Sequence, residues 1–246
     1  SRGCPYSCAY YCPYPILEGK TVRLRHVENV VEELEYLKST YKAKGFLFRD
    51  PIFTLYKQRT AELAELMIKR GINTPWVCET HLDQLDTTLI DLMYTAGLRG
   101  INVGVESANE EVLKSSKRKA KGIEHQERII RYCEKKGIKI GAFYIFGALP
   151  DTETTIQETI NYAKKLNTSF AQFTLCTPYP GTKFYDDIKD QITETDWEKF
   201  DIYTPTFTHP NFTHKRLQKL KEKAFFEYYF RPTWIWKTLK RYSNET

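Results

Sequence analysis

One repeating unit constrains the fold of this 246-residue chain more than any other feature of its sequence. A polar, helix-like stretch ends in a basic residue and a glycine, and a short apolar run follows, as at residues 44–48 and 136–140. Glycine readily takes the left-handed conformation that ends a helix, and a basic residue in the last turn suits the helix dipole. Gly45, Gly71 and Gly97 are spaced 26 residues apart (71−45 and 97−71), about the length of one strand, one helix and their loops. The repeat predicts strands that alternate with helices.

Apolar residues at the helical period predict five helices, which begin near residues 27, 63, 89, 123 and 156. Strands are predicted at residues 46–49, 75–79, 101–105, 138–146 and 170–176. Such alternation favours parallel pairing through right-handed crossovers. We therefore predict an α/β fold, a partial (β/α)6 TIM-like barrel with a C-terminal helical extension. The strand expected ahead of the first helix is missing, so we also expect this chain to be cut from a longer protein.

The chain divides by composition into two parts. A stretch rich in proline and threonine, at residues 203–210, predicts a boundary between a barrel core at residues 1–200 and a helical, basic and aromatic extension at residues 201–246. Lys and Arg total 37 against 31 Asp and Glu, a net charge of +6, and residues 215–246 alone hold nine basic and three acidic residues. The first 214 residues are therefore balanced, with 28 of each sign (37−9 and 31−3).

The extension has three interpretations. Four of its residues share one face of a predicted helix: Leu217, Leu220, Ala224 and Tyr228. The favoured interpretation is a helix that covers the open side of the barrel, with its lysines in solvent. The alternative is an interfacial helix at a membrane surface, anchored by Trp234 and Trp236, in an enzyme that acts on lipid-like substrates. Nucleic-acid binding is disfavoured because the chain has no stacking motif or metal finger.

The six cysteines are unevenly spread, since Cys4, Cys8 and Cys12 lie within nine residues. We expect no signal peptide, and no apolar run approaches the length of about 18 residues that a membrane span needs. A reducing cytoplasm is therefore favoured, where a cysteine triplet is a metal site rather than a disulfide framework. The scattered cysteines are predicted to be buried, small apolar residues.

Three thiolates at short spacing suit an iron–sulfur cluster better than structural zinc. Structural zinc needs four protein ligands, and no fourth Cys or His precedes His26. Three ligands leave one metal position open, as in a cluster that binds a small molecule at its fourth iron. The alternative is a set of cysteines with no shared role.

Residues 4–12 (CPYSCAYYC) resemble the cysteine loop of the radical S-adenosylmethionine (SAM) superfamily, in the subgroup that often carries an upstream cobalamin-binding domain. The resemblance runs from Ser1 to about Tyr185. The usual spacing of three and then two intervening residues is three and three here, an insertion of one residue. The aromatic residue that precedes the last cysteine is present as Tyr11.

The resemblance implies an enzyme in which Cys4, Cys8 and Cys12 bind a [4Fe-4S] cluster and in which SAM is reductively cleaved to a 5′-deoxyadenosyl radical. The implied reaction is methylation, or bond or ring formation, on an unactivated carbon of a small-molecule or lipid-like substrate. An electron donor such as ferredoxin or flavodoxin is implied, as is cobalamin held by an upstream domain. The alternative is a non-catalytic iron–sulfur or zinc module for structure or electron transfer.

The resemblance also implies SAM contacts at the strand ends. Glu106, and with less support Ser107, match the positions that face the SAM ribose, and a carboxylate can accept hydrogen bonds from both ribose hydroxyls. Ser107 and Asn109 also suit a helix N-cap, which is the alternative for them. Glu79 is expected to contact SAM or the substrate.

Three further residues complete the implied cofactor site. Asp50 stands where many relatives bind the SAM amino group, although a turn aspartate before a proline is an equal alternative. Arg118, in a basic run with Lys117, Lys119 and Lys121, is the candidate for the SAM carboxylate, with a solvated helix face as the alternative. Tyr11 is expected beside the cofactor. No catalytic residue is predicted.

Overall fold

The computed structural model describes residues 1–118 and 122–245, and within them the chain forms ten α-helices and five strands. In chain order these elements are α1 (Tyr14–Leu17), α2 (Val27–Tyr41), β1 (Phe46–Phe48), α3 (Lys57–Lys69), β2 (Trp76–Thr80), α4 (Thr87–Thr95), β3 (Leu98–Glu106), α5 (Glu110–Ser115), α6 (Ile123–Lys135), β4 (Lys139–Phe146), α7 (Glu153–Leu166), β5 (Phe170–Leu175), α8 (Lys183–Ile188), α9 (His214–Tyr229) and α10 (Pro232–Glu245).

The five strands form one parallel, open sheet in the order β1-β2-β3-β4-β5. Each lies where a strand is predicted, and a helix stands between each strand and the next, so the predicted α/β alternation is confirmed. In the register, Phe48 lies beside Cys78, and Glu79 lies beside Asn102. β3 begins three residues earlier than predicted (101−98), because Gly100 continues the strand rather than turning it.

Two compact units make up the chain. The first comprises Ser1–Pro5, Leu17–Gly104 and Ala120–Gly141. Its core holds a cluster of aromatic rings, in which Trp76 lies 5.4 Å from Phe48 and 5.3 Å from Phe53, centroid to centroid. The indole nitrogen of Trp76 donates to the Ala96 carbonyl oxygen at 2.8 Å, so this buried donor is satisfied.

The second unit comprises Tyr6–Ile16, Val105–Lys119 and Ala142–Thr246. In it, α9 packs against α7 and β5. Its buried residues are those of the predicted apolar face: Leu217, Leu220, Ala224 and Tyr228. The Tyr228 hydroxyl donates to the Thr168 carbonyl oxygen at 2.6 Å, which ties the helix to the start of β5. The helix therefore buries the predicted face, while its role in covering the open side of the barrel stays a prediction. The proposed division at residue 200 stays a prediction.

No helix in the described part of the chain has the length and apolar character to cross a membrane.

Candidate functional site

The first cysteine is held by a tight loop in the first unit. Cys4 is buried, and its backbone N–H donates to the Gly19 carbonyl oxygen at 3.0 Å. Gly3 has a φ of +94°, and a Cβ there would lie 2.2 Å from the Thr21 carbonyl oxygen. Only glycine fits this position, because any side chain would clash with the Thr21 backbone.

The other two cysteines belong to one helical turn of the second unit. The backbone N–H groups of Tyr11 and Cys12 both donate to the Cys8 carbonyl oxygen, at 3.3 and 3.2 Å. Residues four apart in such a turn lie on the same face. The turn therefore spans the longer spacing between Cys8 and Cys12.

The donor set fits an iron–sulfur cluster by its chemistry. Cys4, Cys8 and Cys12 are not joined in disulfides, and thiolates are the usual protein ligands of [4Fe-4S] clusters. Within residues 1–118 and 122–245, no three His, Cys, Asp or Glu side chains are grouped closely enough to hold a metal ion. The role of Cys4, Cys8 and Cys12 as ligands therefore stays a prediction from the sequence.

The remaining cysteines are buried, as predicted. They are Cys78, Cys133 and Cys176. Burial raises the pKa of the Cys133 thiol to about 12 and raises the pKa of the other two as well. These thiols stay protonated at neutral pH and are poor metal ligands.

Three of the predicted site residues come together in the second unit. Glu106, the last residue of β3, forms an ion pair with Arg118. The distance from Glu106 Oε1 to Arg118 Nη1 is 3.2 Å. The two side chains are 15% and 10% exposed, so the pair is largely withdrawn from water. The Tyr11 hydroxyl hydrogen-bonds with both partners. Tyr11 directly precedes Cys12, so the cysteine turn and the end of β3 share one hydrogen-bond network.

Burial and neighbouring charges shift the pKa values of Glu106 and Arg118 in opposite directions. Burial raises the pKa of Glu106, although the Arg118 charge and the Tyr11 hydrogen bond lower it in part. Burial lowers the pKa of Arg118, but the Glu106 charge and the smaller contributions of its other neighbours, Tyr11 among them, together raise the net pKa. Glu106 has a φ of +67°, a left-handed conformation that is unusual for glutamate. Such strain is most often found where a site requires it.

Ser107 and Asn109 make the contacts expected of structural residues. The buried Ser107 hydroxyl lies 3.2 Å from the Thr159 hydroxyl and accepts the Asn109 backbone N–H at 3.1 Å. The Asn109 side chain caps α5 by accepting from the N–H of Glu111 at 3.1 Å. The N-cap alternative is therefore correct for Asn109. The ribose contact of Ser107 stays a prediction.

Asp50 and Glu79 lie in the first unit. The Asp50 carboxylate is buried and contacts both the nitrogen and the hydroxyl of Ser1, the latter at 2.5 Å. Glu79 forms an ion pair with the more exposed Arg49. Burial raises the pKa of Glu79, and Arg49 partly offsets the rise.

Of the predicted basic run, Lys117 and Arg118 are described, whereas Lys119 and Lys121 lie outside the described residues. The Lys117 ammonium lies 5.8 Å from the centroid of the Tyr10 ring. Arg118 is the basic residue of the described pair that turns inward to Glu106.

The family model of the radical SAM superfamily matches residues 1–163 of this chain. The chain belongs to the radical SAM superfamily. It is 31% identical over 236 residues to an uncharacterized methyltransferase of Pyrococcus horikoshii, covering 94% of this chain and 50% of that protein. It is 29% identical over 227 residues to the bacteriochlorophyllide d C-12(1)-methyltransferase of Chlorobaculum tepidum, covering 90% and 48%. The chain thus spans about half the length of the curated relatives it matches.

Solved structures of radical SAM enzymes resemble this chain as well. The methyltransferase TsrM from Kitasatospora setae, with cobalamin and a [4Fe-4S] cluster bound, superposes with a TM-score of 0.70 at 25% identity, covering 77% of this chain and 35% of that one. Coproporphyrinogen III oxidase from Escherichia coli gives a TM-score of 0.63 at 13% identity over 94% of this chain and 51% of its own, which shows the shared fold. The predicted TIM-like partial barrel and the resemblance to cobalamin-associated radical SAM proteins are confirmed.

Asp151 is a buried carboxylate of this radical SAM chain that no motif in the sequence predicts. Asp151 accepts the backbone N–H groups of Gly147 at 2.9 Å and Ala148 at 3.2 Å, and the Thr155 hydroxyl at 2.6 Å. Burial raises its pKa to about 6, although these hydrogen bonds lower it in part. Asp151 therefore clamps the loop after β4. The only signal in the sequence is its place just before Thr152, which caps α7.

Proposed function

We propose that this chain is the core of a radical SAM enzyme that methylates, or forms a bond or ring at, an unactivated carbon. The observation that carries the proposal is the buried Tyr11–Glu106–Arg118 network, which joins the cysteine turn to a strand end. A cysteine module that serves only structure or electron transfer has no need of a partly buried ion pair beside it. The non-catalytic alternative is disfavoured for that reason.

We assign the cluster to Cys4, Cys8 and Cys12, which lie in a segment shaped by Gly3 and by the turn at Cys8. When bound, the cluster supplies the electron that splits SAM into methionine and a 5′-deoxyadenosyl radical. The protein's own work is to hold the cofactors, orient them and keep water out.

In this assignment Glu106 binds the ribose hydroxyls of SAM. An ionised carboxylate offers about four acceptor sites, so it can hold two hydroxyls and still contact Arg118. Arg118 favours the ionised form of Glu106 against the effect of burial. Tyr11 donates to the same carboxylate and fixes its orientation.

Asp50 and Glu79 are assigned to other polar groups of SAM or of the substrate. Asp50, a buried carboxylate shortly after β1, is assigned to the SAM amino group, because a carboxylate can bind an ammonium. Glu79, held by Arg49, is assigned to SAM or to the substrate. Ser107 has a weaker claim, because its hydroxyl is engaged by Thr159 and Asn109.

The relatives support a small-molecule or lipid-like substrate for the whole protein. Their names include an anaerobic magnesium-protoporphyrin IX monomethyl ester cyclase from Rubrivivax gelatinosus and a hopanoid C-3 methylase from Methylococcus capsulatus. We propose cobalamin, held by a part of the protein beyond these residues, as a further cofactor. We also propose an electron donor such as ferredoxin or flavodoxin. The clustered cysteines of a chain this long suit a metal site in a reducing compartment such as the cytoplasm.

Anaerobic reconstitution tests the assignment of the cluster ligands. We expect bound iron and sulfide near four of each per chain for the native sequence, as a [4Fe-4S] cluster requires, and a severe loss in Cys8→Ala. Cys133→Ala is the matched control and should keep the cluster, because its thiol is buried within α6. Native chain that takes up no cluster, or Cys8→Ala that keeps a full one, would contradict the proposal.

A further inference from the structure

The last helix of the chain is amphipathic and turns its apolar side away from the protein. On α10, Ile235, Trp236 and Leu239 are exposed, and Trp236 reaches 71%. Their spacing places the three side chains on one face of the helix. A helix that served only to cover the sheet would bury this face.

The polar side of α10 faces the rest of the unit instead. The Lys237 ammonium donates to the Asn167 carbonyl oxygen, and the Arg241 guanidinium donates to the Ser169 hydroxyl. Trp234, on the same side, packs its ring against Tyr229 with centroids 4.7 Å apart. Trp234 is thus used inside the protein, and Trp236 is the anchor candidate that remains.

α9 adds to the exposed apolar surface. Phe226 and Phe230 lie on the side of α9 opposite to its buried stripe, with ring centroids 5.5 Å apart. Phe230 is 67% exposed. We define the outer apolar face as six residues: Phe225, Phe226, Phe230, Ile235, Trp236 and Leu239.

The exposed charges around this face are mainly positive, although the acidic Glu222 lies one helical turn before Phe226 on the same side of α9. Lys219 lies two helical turns before Phe226 on the same side of α9, and Lys240 flanks Trp236 on α10. Neither lysine side chain has a hydrogen bond or an ion pair with a described residue, and both are exposed. Exposed lysines beside aromatic and aliphatic side chains are typical of helices that lie in the headgroup region of anionic membranes.

We infer that the outer apolar face docks this chain on the surface of an anionic lipid membrane. Phe230, Trp236 and Leu239 enter the boundary between headgroups and acyl chains, and Lys219 and Lys240 contact lipid phosphates. The attachment is peripheral, since no described helix can span a bilayer. The inference goes beyond the proposed function and does not depend on it, because neither the cluster nor SAM takes part in docking.

Vesicle flotation tests the inference. The chain is mixed with vesicles of phosphatidylcholine and phosphatidylglycerol, or of phosphatidylcholine alone, and the floated fraction is measured. We expect flotation with the anionic vesicles that weakens as salt is added. Trp236→Glu should lower the apparent affinity by about tenfold or more, because it loses apolar burial and adds repulsion. Lys240→Glu should lower it less.

Trp197→Glu is the matched control, because Trp197 is also an exposed tryptophan, at 61%, and lies outside the outer apolar face. It should float like the native chain, and circular dichroism should show that all three variants are folded. Native chain that stays unbound on anionic vesicles would overturn the inference, as would equal losses in Trp236→Glu and Trp197→Glu. A dimer that Trp236→Glu dissociates, without any vesicle binding, would instead assign the face to a second copy and also overturn it.

Discussion

At the scale of residues, the site depends on one strained glutamate and the groups that hold it. Glu106 takes a left-handed backbone conformation at the end of β3, and Arg118 and Tyr11 engage its carboxylate. A buried charge left without its partner is costly, and the Arg118 contact favours the ionised carboxylate against the effect of burial. The strain is retained because it directs the carboxylate into the network.

Arg118→Met should destabilise the chain by about 3 kcal/mol, because it leaves Glu106 buried without its counter-ion. SAM binding should weaken by about tenfold or more, a loss of at least ~1.4 kcal/mol. Urea unfolding and calorimetric SAM titration of the reconstituted protein measure the two effects. Arg131→Met, which removes an exposed side chain, is the control.

The double variant Glu106→Gln/Arg118→Met should regain stability but not SAM affinity. Recovery of both would contradict the role given to Glu106.

Asp151 should make stability depend on pH. Its folded pKa of about 6 lies above the ordinary aspartate value of 3.8, so the folded state favours the protonated carboxyl. The resulting stabilisation is complete below the ordinary value and is lost as pH rises through about 6. It amounts to about 3 kcal/mol, at roughly 1.4 kcal/mol per pKa unit.

Asp151→Asn should remove this dependence, since an amide oxygen can still accept the Gly147 and Ala148 N–H groups. Urea unfolding at a series of pH values between the ordinary and the raised pKa measures it, with the exposed Asp190→Asn as control. A variant whose stability falls across this range as steeply as that of the native chain would show that Asp151 is not the group responsible.

At the scale of elements, the sheet and its helices were predictable and the fine structure of the loops was not. The period of apolar residues located each strand and the buried stripe of α9, because burial of one face sets both patterns. α5 and α8 are six residues each, too short to show a period. The sequence left the orientation of α10 open between a covering and an interfacial helix, since a helical pattern does not say which partner covers its apolar side.

The structure of the cysteine segment was also only partly predictable from the sequence. The sequence identifies the three thiols and the extra residue between Cys8 and Cys12. The hydrogen bond from the Cys12 N–H to the Cys8 carbonyl oxygen, which spans this longer spacing, is a feature of the folded turn. The Tyr11 contact with Glu106 joins residues 95 positions apart (106−11), and only the fold brings them together.

Gly3→Ala should damage the cysteine segment more than Gly71→Ala damages the helix end after α3. Both glycines have positive φ, but a Cβ at Gly3 meets the Thr21 carbonyl oxygen, whereas a Cβ at Gly71 meets nothing within 4 Å. Gly71→Ala should therefore cost only the left-handed conformation, about 1 kcal/mol. Iron content and urea unfolding measure both variants. Equal losses in the two would contradict the tight loop described for Cys4.

At the scale of the whole molecule, the excess positive charge belongs to the two C-terminal helices and is largely used within the chain. Arg216 forms an ion pair with Glu153, Lys223 contacts Gln157, and Lys221 lies over the Tyr203 ring. The covering role predicted for α9 and the membrane alternative both stay predictions, and the two do not exclude each other. Buried apolar residues and basic contacts attach the helices, and their outer apolar face remains exposed.

The same distribution of charge predicts weak binding to nucleic acid. Because most basic residues of the extension contact their own chain, few remain to neutralise phosphates. We expect no change in the anisotropy of a labelled DNA duplex at physiological salt and micromolar protein. Tight binding with a steep salt dependence would contradict this distribution of charge.

The most direct measurement of the central claim is the reductive cleavage of SAM by the reconstituted chain. Protein loaded anaerobically with iron and sulfide is reduced with dithionite and supplied with SAM, and methionine and 5′-deoxyadenosine are measured by chromatography. We predict that both products form with the native chain and the Cys133→Ala control, and that Cys12→Ala and Arg118→Met yield little of either. A loaded native chain that holds a [4Fe-4S] cluster but releases neither product would contradict the proposed enzyme and favour a non-catalytic cluster.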